Sequence, residues 1–166
     1  MALSDRDAGF SDYAAARTPW LRKVAFLLCQ DWHRADDLVQ ISLTRLYVHW
    51  HRVGGMDNVD GYARAVLVNA FLAEQRTAWW KRVTLRGETA DAPTPDLDVA
   101  ASVDLRGALT ALPPRQRAAI VLRYYCDLPI DEVAGLLDCA PGAVKSLTSR
   151  GLEALRRTLG ARPVNS

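Results

Sequence analysis

Apolar residues recur at helical spacing through most of this chain, and most clearly in the segment 112–159. The spacing there predicts a helix, a tight turn, a short helix, a second turn and a longer basic helix. Pro114 suits a first helical position, because the N–H that proline lacks would be unpaired there. The residues predicted to face inward are Ala118, Val121, Leu122 and Tyr125 in the first helix, Ile130, Val133, Ala134 and Leu137 in the second, and Val144, Thr148, Gly151 and Leu155 in the third.

The last two of these helices have the layout of a helix-turn-helix unit, whose second helix enters the major groove of DNA. Ala134 and Gly151 are small enough for the close crossing that this unit needs. Lysine and arginine donate to phosphates and base edges, so a basic outer face on the last helix favours a nucleic-acid partner. A structural interpretation stays open, because any small helical bundle can place a charged helix after a short one. The predicted outer face comprises Lys145, Ser146, Ser149, Arg150, Glu153 and Arg156.

Three further helices are predicted in the first half of the chain. The first contains Phe10, Tyr13 and Arg17 and is expected to break or restart at Thr18–Pro19, since proline favours a first helical turn. The second runs from Ala35 to Trp50. Its stripe of Val39, Leu43, Leu46, Tyr47 and Trp50 is expected to be buried, and capping is the simplest role for its first-turn acids, Asp36 and Asp37. A polar turn over 31–34 precedes it, and the loop 52–58 follows it.

A long third helix is predicted to begin at Asp60 as its cap and to end in a basic and aromatic cluster. Its first half is apolar nearly all round, so Asn69 is expected to be either a satisfied buried amide or an amide directed at a base. Aromatic rings stack on bases and cations bind phosphates, so the end of the helix is typical of single-strand binding. One of the two tryptophans is nevertheless expected to pack under the domain. The cluster comprises Arg76, Trp79, Trp80, Lys81 and Arg82.

The charges of the 166-residue chain, +2 in total, are distributed unevenly. Residues 62–86 hold five basic residues and one acid, and residues 141–162 hold the same numbers. Between them, residues 87–104 hold five acids and no basic residue, with proline and few aromatics, as in flexible connectors. The sequence therefore predicts an all-α protein with two small helical domains, residues 1–86 and 102–166, joined by an acidic linker over 87–101.

Several classes of protein are disfavoured by composition. No apolar run is long enough to span a membrane, and the N-terminus lacks the layout of a signal peptide. The three cysteines, Cys29, Cys126 and Cys139, are scattered and odd in number, which favours a reducing, cytoplasmic location over a disulfide framework. No nucleophile with a base, metal-ligand set or phosphate-binding glycine loop is apparent. We therefore expect neither enzymatic activity nor a cofactor or metal.

Three segments, in this order, resemble one family. The first is ADDLVQISLTRLY, similar to a segment of the form AEDLVQETFLRAW; the second is GYARAVLVNAFLAEQR, a long helix with a central asparagine; the third runs from LPPRQR to LEALRR. This combination resembles the extracytoplasmic-function (ECF) sigma factors, over about residues 10–160. The ending RGLEALRR and the Trp79–Trp80 pair are similar to an actinobacterial-type, SigE-like branch.

The resemblance implies a sigma-2 and a sigma-4 domain that bind core RNA polymerase and recognise the −10 and −35 promoter elements to help melt the DNA. By that likeness, Asp36, Asp37, Leu38 and Gln40 bind the clamp of the largest polymerase subunit, which replaces capping as the role expected of Asp37. The loop 52–58, ending at Asn58, and Asn69 hold a flipped −10 base, with the cluster Arg76–Arg82 along the same strand. The residues matched to −35 recognition are Lys145, Ser146, Leu147, Ser149 and Arg150.

The resemblance also implies that the acidic linker runs towards the polymerase active centre, that the flap region is a partner, and that an anti-sigma factor is an open possibility. Two residues depart from the family pattern: Leu147 replaces a frequent arginine or glutamine, and Thr148 replaces a common core leucine. Leu147 cannot donate a hydrogen bond, so the −35 sequence is not transferable. The alternative function is a stand-alone helix-turn-helix regulator, which leaves the acidic segment and the second basic block unexplained.

Overall fold

The computed structural model describes residues 4–86 and 105–160. Within these ranges the backbone forms helices and turns, and no strand occurs, which confirms the predicted all-α class. The helices are α1 (Asp5–Cys29), α2 (Trp32–Val48), α3 (Trp50–Val53), α4 (Val59–Arg86), α5 (Leu105–Thr110), α6 (Pro114–Ile120), a π-helical turn (Val121–Tyr125), α7 (Ile130–Leu137) and α8 (Pro141–Gly160).

The chain forms two compact units, which divide between Glu74 and Gln75. This division lies inside α4, twelve residues before the helix ends at Arg86. The predicted acidic linker over 87–101 lies outside the described residues.

Helices α1 and α2 of the first unit form a hairpin. Gln30 makes the connection with a left-handed backbone (φ 61°), and the Asp31 carboxylate accepts from the N–H groups of His33 (2.8 Å) and Arg34 (3.2 Å). Asp31 is therefore the N-cap of α2, and the predicted polar turn over 31–34 is wrong. The capping interpretation of Asp36 and Asp37 is wrong for the same reason. The core between the helices includes Leu21, Val24, Leu28, Leu38 and Leu46.

Helix α1 continues through Pro19, so the predicted break at Thr18–Pro19 is wrong. The Thr18 hydroxyl does not cap a new helix but donates to the carbonyl of Ala14, one turn earlier (2.5 Å). An interior proline costs a helix about 3 kcal/mol. Burial of Leu21 and Val24 directly after the proline offsets that cost, since tertiary packing is the main source of helix stability in proteins.

Between α6 and α7, the second unit contains a π-helical turn. Here the N–H of Cys126 donates to the carbonyl of Val121, five residues earlier (3.0 Å). The wider turn changes the helical register of its own residues, so Tyr124 and Tyr125 are both about half exposed. The prediction that Tyr125 faces inward is wrong, because it assumed regular α-helical spacing throughout.

Helices α7 and α8 form the predicted helix-turn-helix unit. The turn comprises Asp138, which has a left-handed backbone (φ 52°), Cys139 and Ala140. The Arg115 guanidinium, from α6, donates to the carbonyl of Leu137 at the end of α7 (2.9 Å). A cation at this position satisfies an orphan carbonyl and complements the helix dipole. Arg115 therefore fixes the turn that leads into α8.

At Gly151, α8 packs directly against the Ile120 side chain of α6. The residue is buried, and a Cβ atom at this position would collide with the Cδ1 atom of Ile120 and lie 3.2 Å from its Cγ1 atom. The expectation that Gly151 lets α7 and α8 cross closely is therefore wrong, because the nearest atoms to a Cβ at this position belong to α6.

We predict that Gly151→Ala destabilises the second unit by about 1–3 kcal/mol, the usual cost of overpacking a core. Ile120→Val removes the colliding Cδ1 atom and alone costs about 0.5–1.5 kcal/mol. Urea unfolding of both single variants and the double variant measures the coupling. The double variant should be more stable than the sum of the single losses predicts; strict additivity would contradict the proposed collision.

Candidate nucleic-acid and polymerase interface

The N-terminal half of α8 presents an exposed polar face. Lys145, Ser146, Ser149 and Arg150 are all exposed, and the side chains of Lys145 and Arg150 form no ion pair with a described residue. Because no internal contact occupies them, both cations are free to bind phosphates or base edges.

Two residues on the same stretch of α8 differ in their availability. Leu147 is half-buried at the edge of the exposed face. The Thr148 hydroxyl donates to the carbonyl of Val144 (2.9 Å) and to that of Lys145 (3.1 Å). Thr148 is therefore bonded to its own helix, and it fills the core position without the apolar volume of a leucine.

Acidic and polar residues on α2 form a second exposed surface. Asp36 accepts from the Arg22 Nε atom (2.7 Å), whereas Asp37 has no side-chain hydrogen bond or ion pair with a described residue. Gln40 is exposed beside them. The structure corrects the prediction for Leu38, because its side chain is completely buried and cannot contact a partner directly.

The loop before α4 is held at both ends. Gly54 packs on the Trp50 indole, where a Cβ atom would lie only 2.7 Å from the ring. At the other end the Asn58 side chain accepts from the Gly61 N–H (2.9 Å) and caps α4. The predicted cap, Asp60, is wrong by two residues, since the helix begins at Val59.

Asp60 instead joins α4 to α1. Its carboxylate accepts from the Tyr13 hydroxyl (2.6 Å) and from the Arg17 guanidinium (3.0 and 2.9 Å). Burial and the hydrogen bond to Asp60 raise the pKa of Tyr13 above its ordinary value. Sequence reasoning missed this cluster, because Asp60 lies more than 40 positions from Tyr13 and Arg17 and no local pattern joins them.

Asn69 is exposed on α4, so the interpretation as a buried, satisfied amide is wrong. Its neighbours Val68 and Ala70 are buried, and residue 69 is the position between them that faces away from the core. The helical spacing of the buried residues Ala63, Leu67 and Phe71 would have shown this from sequence.

The end of α4 carries the predicted basic and aromatic cluster on its surface. Trp79 and Trp80 are 44% and 61% exposed, so the expectation that one of them packs inward is wrong. Their ring centroids lie 5.2 Å apart with planes at 79°. Arg76 and Lys81 are exposed beside them, and Arg82 is half-buried. Rings and cations thus share one accessible surface.

The described residues contain neither a metal-binding group of side chains nor a membrane-spanning helix. No group of three or more histidine, cysteine, aspartate or glutamate side chains there could hold a metal ion. Nor is any helix in residues 4–86 or 105–160 both long enough and apolar enough to cross a membrane.

Comparison with known proteins assigns both halves of the chain. Residues 14–81 match the family model for sigma-70 region 2, and residues 102–155 match that for sigma-70 region 4. The RNA polymerase sigma-E factor of Streptomyces avermitilis is 32% identical over 95% of this chain and 88% of its own. The chain belongs to the ECF sigma factors. The ECF sigma factor SigE of Mycolicibacterium smegmatis is 30% identical over 81% of this sigma factor and 55% of its own length.

A solved structure agrees with this assignment. The sigma factor RpoE of Bartonella quintana, crystallised with the anti-sigma factor NepR, superposes with a TM-score of 0.69 at 25% identity. The match covers 95% of this sigma factor and 98% of that chain. The protein is therefore an alternative sigma factor of the SigE type, which binds core RNA polymerase and directs it to promoters. A stand-alone regulator is not favoured.

The two asparagines of the first half should respond differently to truncation. We predict that Asn58→Ala costs about 1 kcal/mol of stability through loss of the helix cap, whereas Asn58→Asp keeps most of it. Asn69→Ala removes an exposed amide and should leave the unfolding midpoint unchanged. Thermal unfolding checks both, and an equal loss in the two variants would contradict the structural distinction.

Proposed function

We propose that this sigma factor holds its promoter at two points through the exposed residues described above. The observation that carries the proposal is that Lys145 and Arg150 are exposed in the N-terminal half of the second helix of a helix-turn-helix unit and form no ion pair with a described residue. In such units the N-terminal residues of this helix contact base edges. Lys145, Ser146, Ser149 and Arg150 are therefore the proposed −35 contacts, with Leu147 against an apolar base edge such as a thymine methyl.

At the −10 element, the proposed contacts are residues that can hold unpaired bases. Trp79 and Trp80 offer ring faces for stacking, and Arg76, Lys81 and Arg82 offer charge for the strand. Asn69 has an unburied amide, and Asn58 retains its NH₂ group, because only its side-chain oxygen is used for capping. Captured bases offset the few kcal/mol needed to unpair them, so binding shifts the DNA towards the open state.

The proposed polymerase contacts on α2 are Asp37 and Gln40, with the clamp of the largest subunit as their partner. Asp36 contributes less directly, because Arg22 already occupies its carboxylate. The flap region is the proposed partner of the second unit. An anti-sigma factor is a further proposed partner, supported by the NepR complex of the Bartonella relative. The proposed site of action is the cytoplasm, and no bond is made or broken by this chain.

Run-off transcription tests the function directly. Purified sigma factor, added to core polymerase that lacks sigma, should produce transcripts from genomic fragments that core alone does not produce. Sequencing their 5′ ends should show common −10 and −35 elements upstream. DNA binding without polymerase-dependent transcripts would favour the regulator and overturn the proposal.

Substitutions should separate the two kinds of binding. Asp37→Ala should weaken core-polymerase binding about tenfold and leave binding to a −35 duplex unchanged. Lys145→Ala should weaken binding to the −35 duplex and leave core-polymerase binding unchanged. Loss of one phosphate contact should also reduce the slope of log K against log salt concentration by about 1. Asp36→Ala is the matched control and should lose less polymerase affinity than Asp37→Ala. Equal polymerase binding by all three variants would contradict the assignment of α2.

A further inference from the structure

Trp32 begins α2 with a large apolar side chain that is 40% exposed. Its ring stacks on Phe26 of α1, with centroids 4.0 Å apart and planes at 13°. The guanidinium of Arg22 lies over the Trp32 ring at 4.3 Å and also donates to the Asp36 carboxylate. Arg22 and Phe26 are one turn apart on α1, and Trp32 and Asp36 are one turn apart on α2. These four residues, the α1–α2 clasp, therefore join the two helices side by side.

The clasp continues the acidic surface of α2. Trp32, Asp36 and Gln40 are spaced by four residues, so they lie on one face of the helix, and Asp37 is adjacent. The side chains of the Arg22–Asp36 ion pair remain 45% and 53% exposed. An exposed ion pair adds little to stability, so the fold alone does not account for this open arrangement.

We propose that Trp32 and Arg22 extend the polymerase-binding surface of α2 onto α1, and that this surface binds a basic segment of core polymerase. The inference rests on the proposed role of Asp37 and Gln40. Tryptophan and arginine are the residue types most often found at interface hot spots, where a partner excludes water from them. Asp36 and Asp37 attract lysine or arginine on the partner, and the exposed part of the indole covers the aliphatic stem of such a side chain.

Charge favours polymerase over a second copy of this chain as the occupant. In a symmetric dimer the same patch meets itself, so Asp36 and Asp37 would face their own copies. Like charges brought together across an interface are repelled. A basic partner instead pairs Asp37, which has no side-chain partner among the described residues, and leaves the Arg22–Asp36 pair intact.

Affinity measurements with the full chain and core polymerase test the proposal. Trp32→Ala should weaken core binding about tenfold, a typical hot-spot effect, whereas Trp32→Phe, which keeps the stack on Phe26, should recover most of it. Val48→Ala removes another exposed apolar side chain of α2, roughly on the face opposite Trp32, and should have no effect. Trp32→Ala should leave the salt dependence unchanged, because no charge is removed, while Asp37→Ala should reduce it.

Hydroxyl-radical footprinting of the wild-type chain provides a measurement that does not depend on the stability of a variant. Oxidation of Trp32 should fall at least several-fold when core polymerase is bound, and that of Val48 should not fall. Unchanged oxidation of Trp32 in the complex, with Asp37→Ala still impairing binding, would overturn this inference and leave the proposed function standing. If neither Asp37→Ala nor Trp32→Ala changes the affinity, the assignment of α2 itself fails.

Discussion

The contact between Gly151 and Ile120 determines where the recognition helix lies. Helix α8 approaches α6 so closely at this point that even one methyl group on residue 151 would collide with Ile120. In the same helix, Lys145 lies about one and a half turns before Gly151 and Arg150 directly before it, and both are on the proposed DNA-binding face. Before the turn that leads into α8, the Arg115 guanidinium of α6 donates to the carbonyl of Leu137, at the end of α7. Helix α6 thus fixes α8 at its middle and at the turn before it, and the exposed face points outward as a result.

Charged side chains fall into two groups according to whether the fold already uses them. Arg115, Arg117 and Arg123 all donate to backbone carbonyls at helix ends or in the turn before α7. Arginine suits this role, since its fixed charge and several donors satisfy orphan carbonyls while opposing the helix dipole. Lys145 and Arg150 have no such bonds with described residues. Function is therefore assigned to the charges that the fold leaves unpaired, and a count of basic residues alone would not have found them.

The helical class, the helix-turn-helix unit and the exposed face of α8 were predictable from sequence, because each depends on local spacing. Errors arose where longer-range or irregular contacts decide the outcome. Pro19 is tolerated within α1 because packing outweighs its helix cost, and the π-helical turn displaces Tyr125 from the register that regular spacing predicts. Leu38 belongs to a sequence motif in which Asp36, Asp37 and Gln40 are exposed, but its own side chain is buried in the core. Asn58 rather than Asp60 caps α4, since Asp60 is bound to Tyr13 and Arg17 on α1.

A sigma factor built from two small units has a thermodynamic reason to work only with polymerase. Helix α8 offers few charged contacts, and a handful of phosphate contacts gives weak, salt-sensitive binding. The cluster at Trp79 and Trp80 can capture bases only after unpairing, which costs a few kcal/mol in duplex DNA. If polymerase holds α8 and this cluster on one promoter, as proposed, the second contact becomes intramolecular and its effective concentration rises. In the proposed complex, exposed groups on α2, namely Asp37, Gln40 and the Trp32 extension, are then as necessary for promoter specificity as the residues proposed to contact DNA.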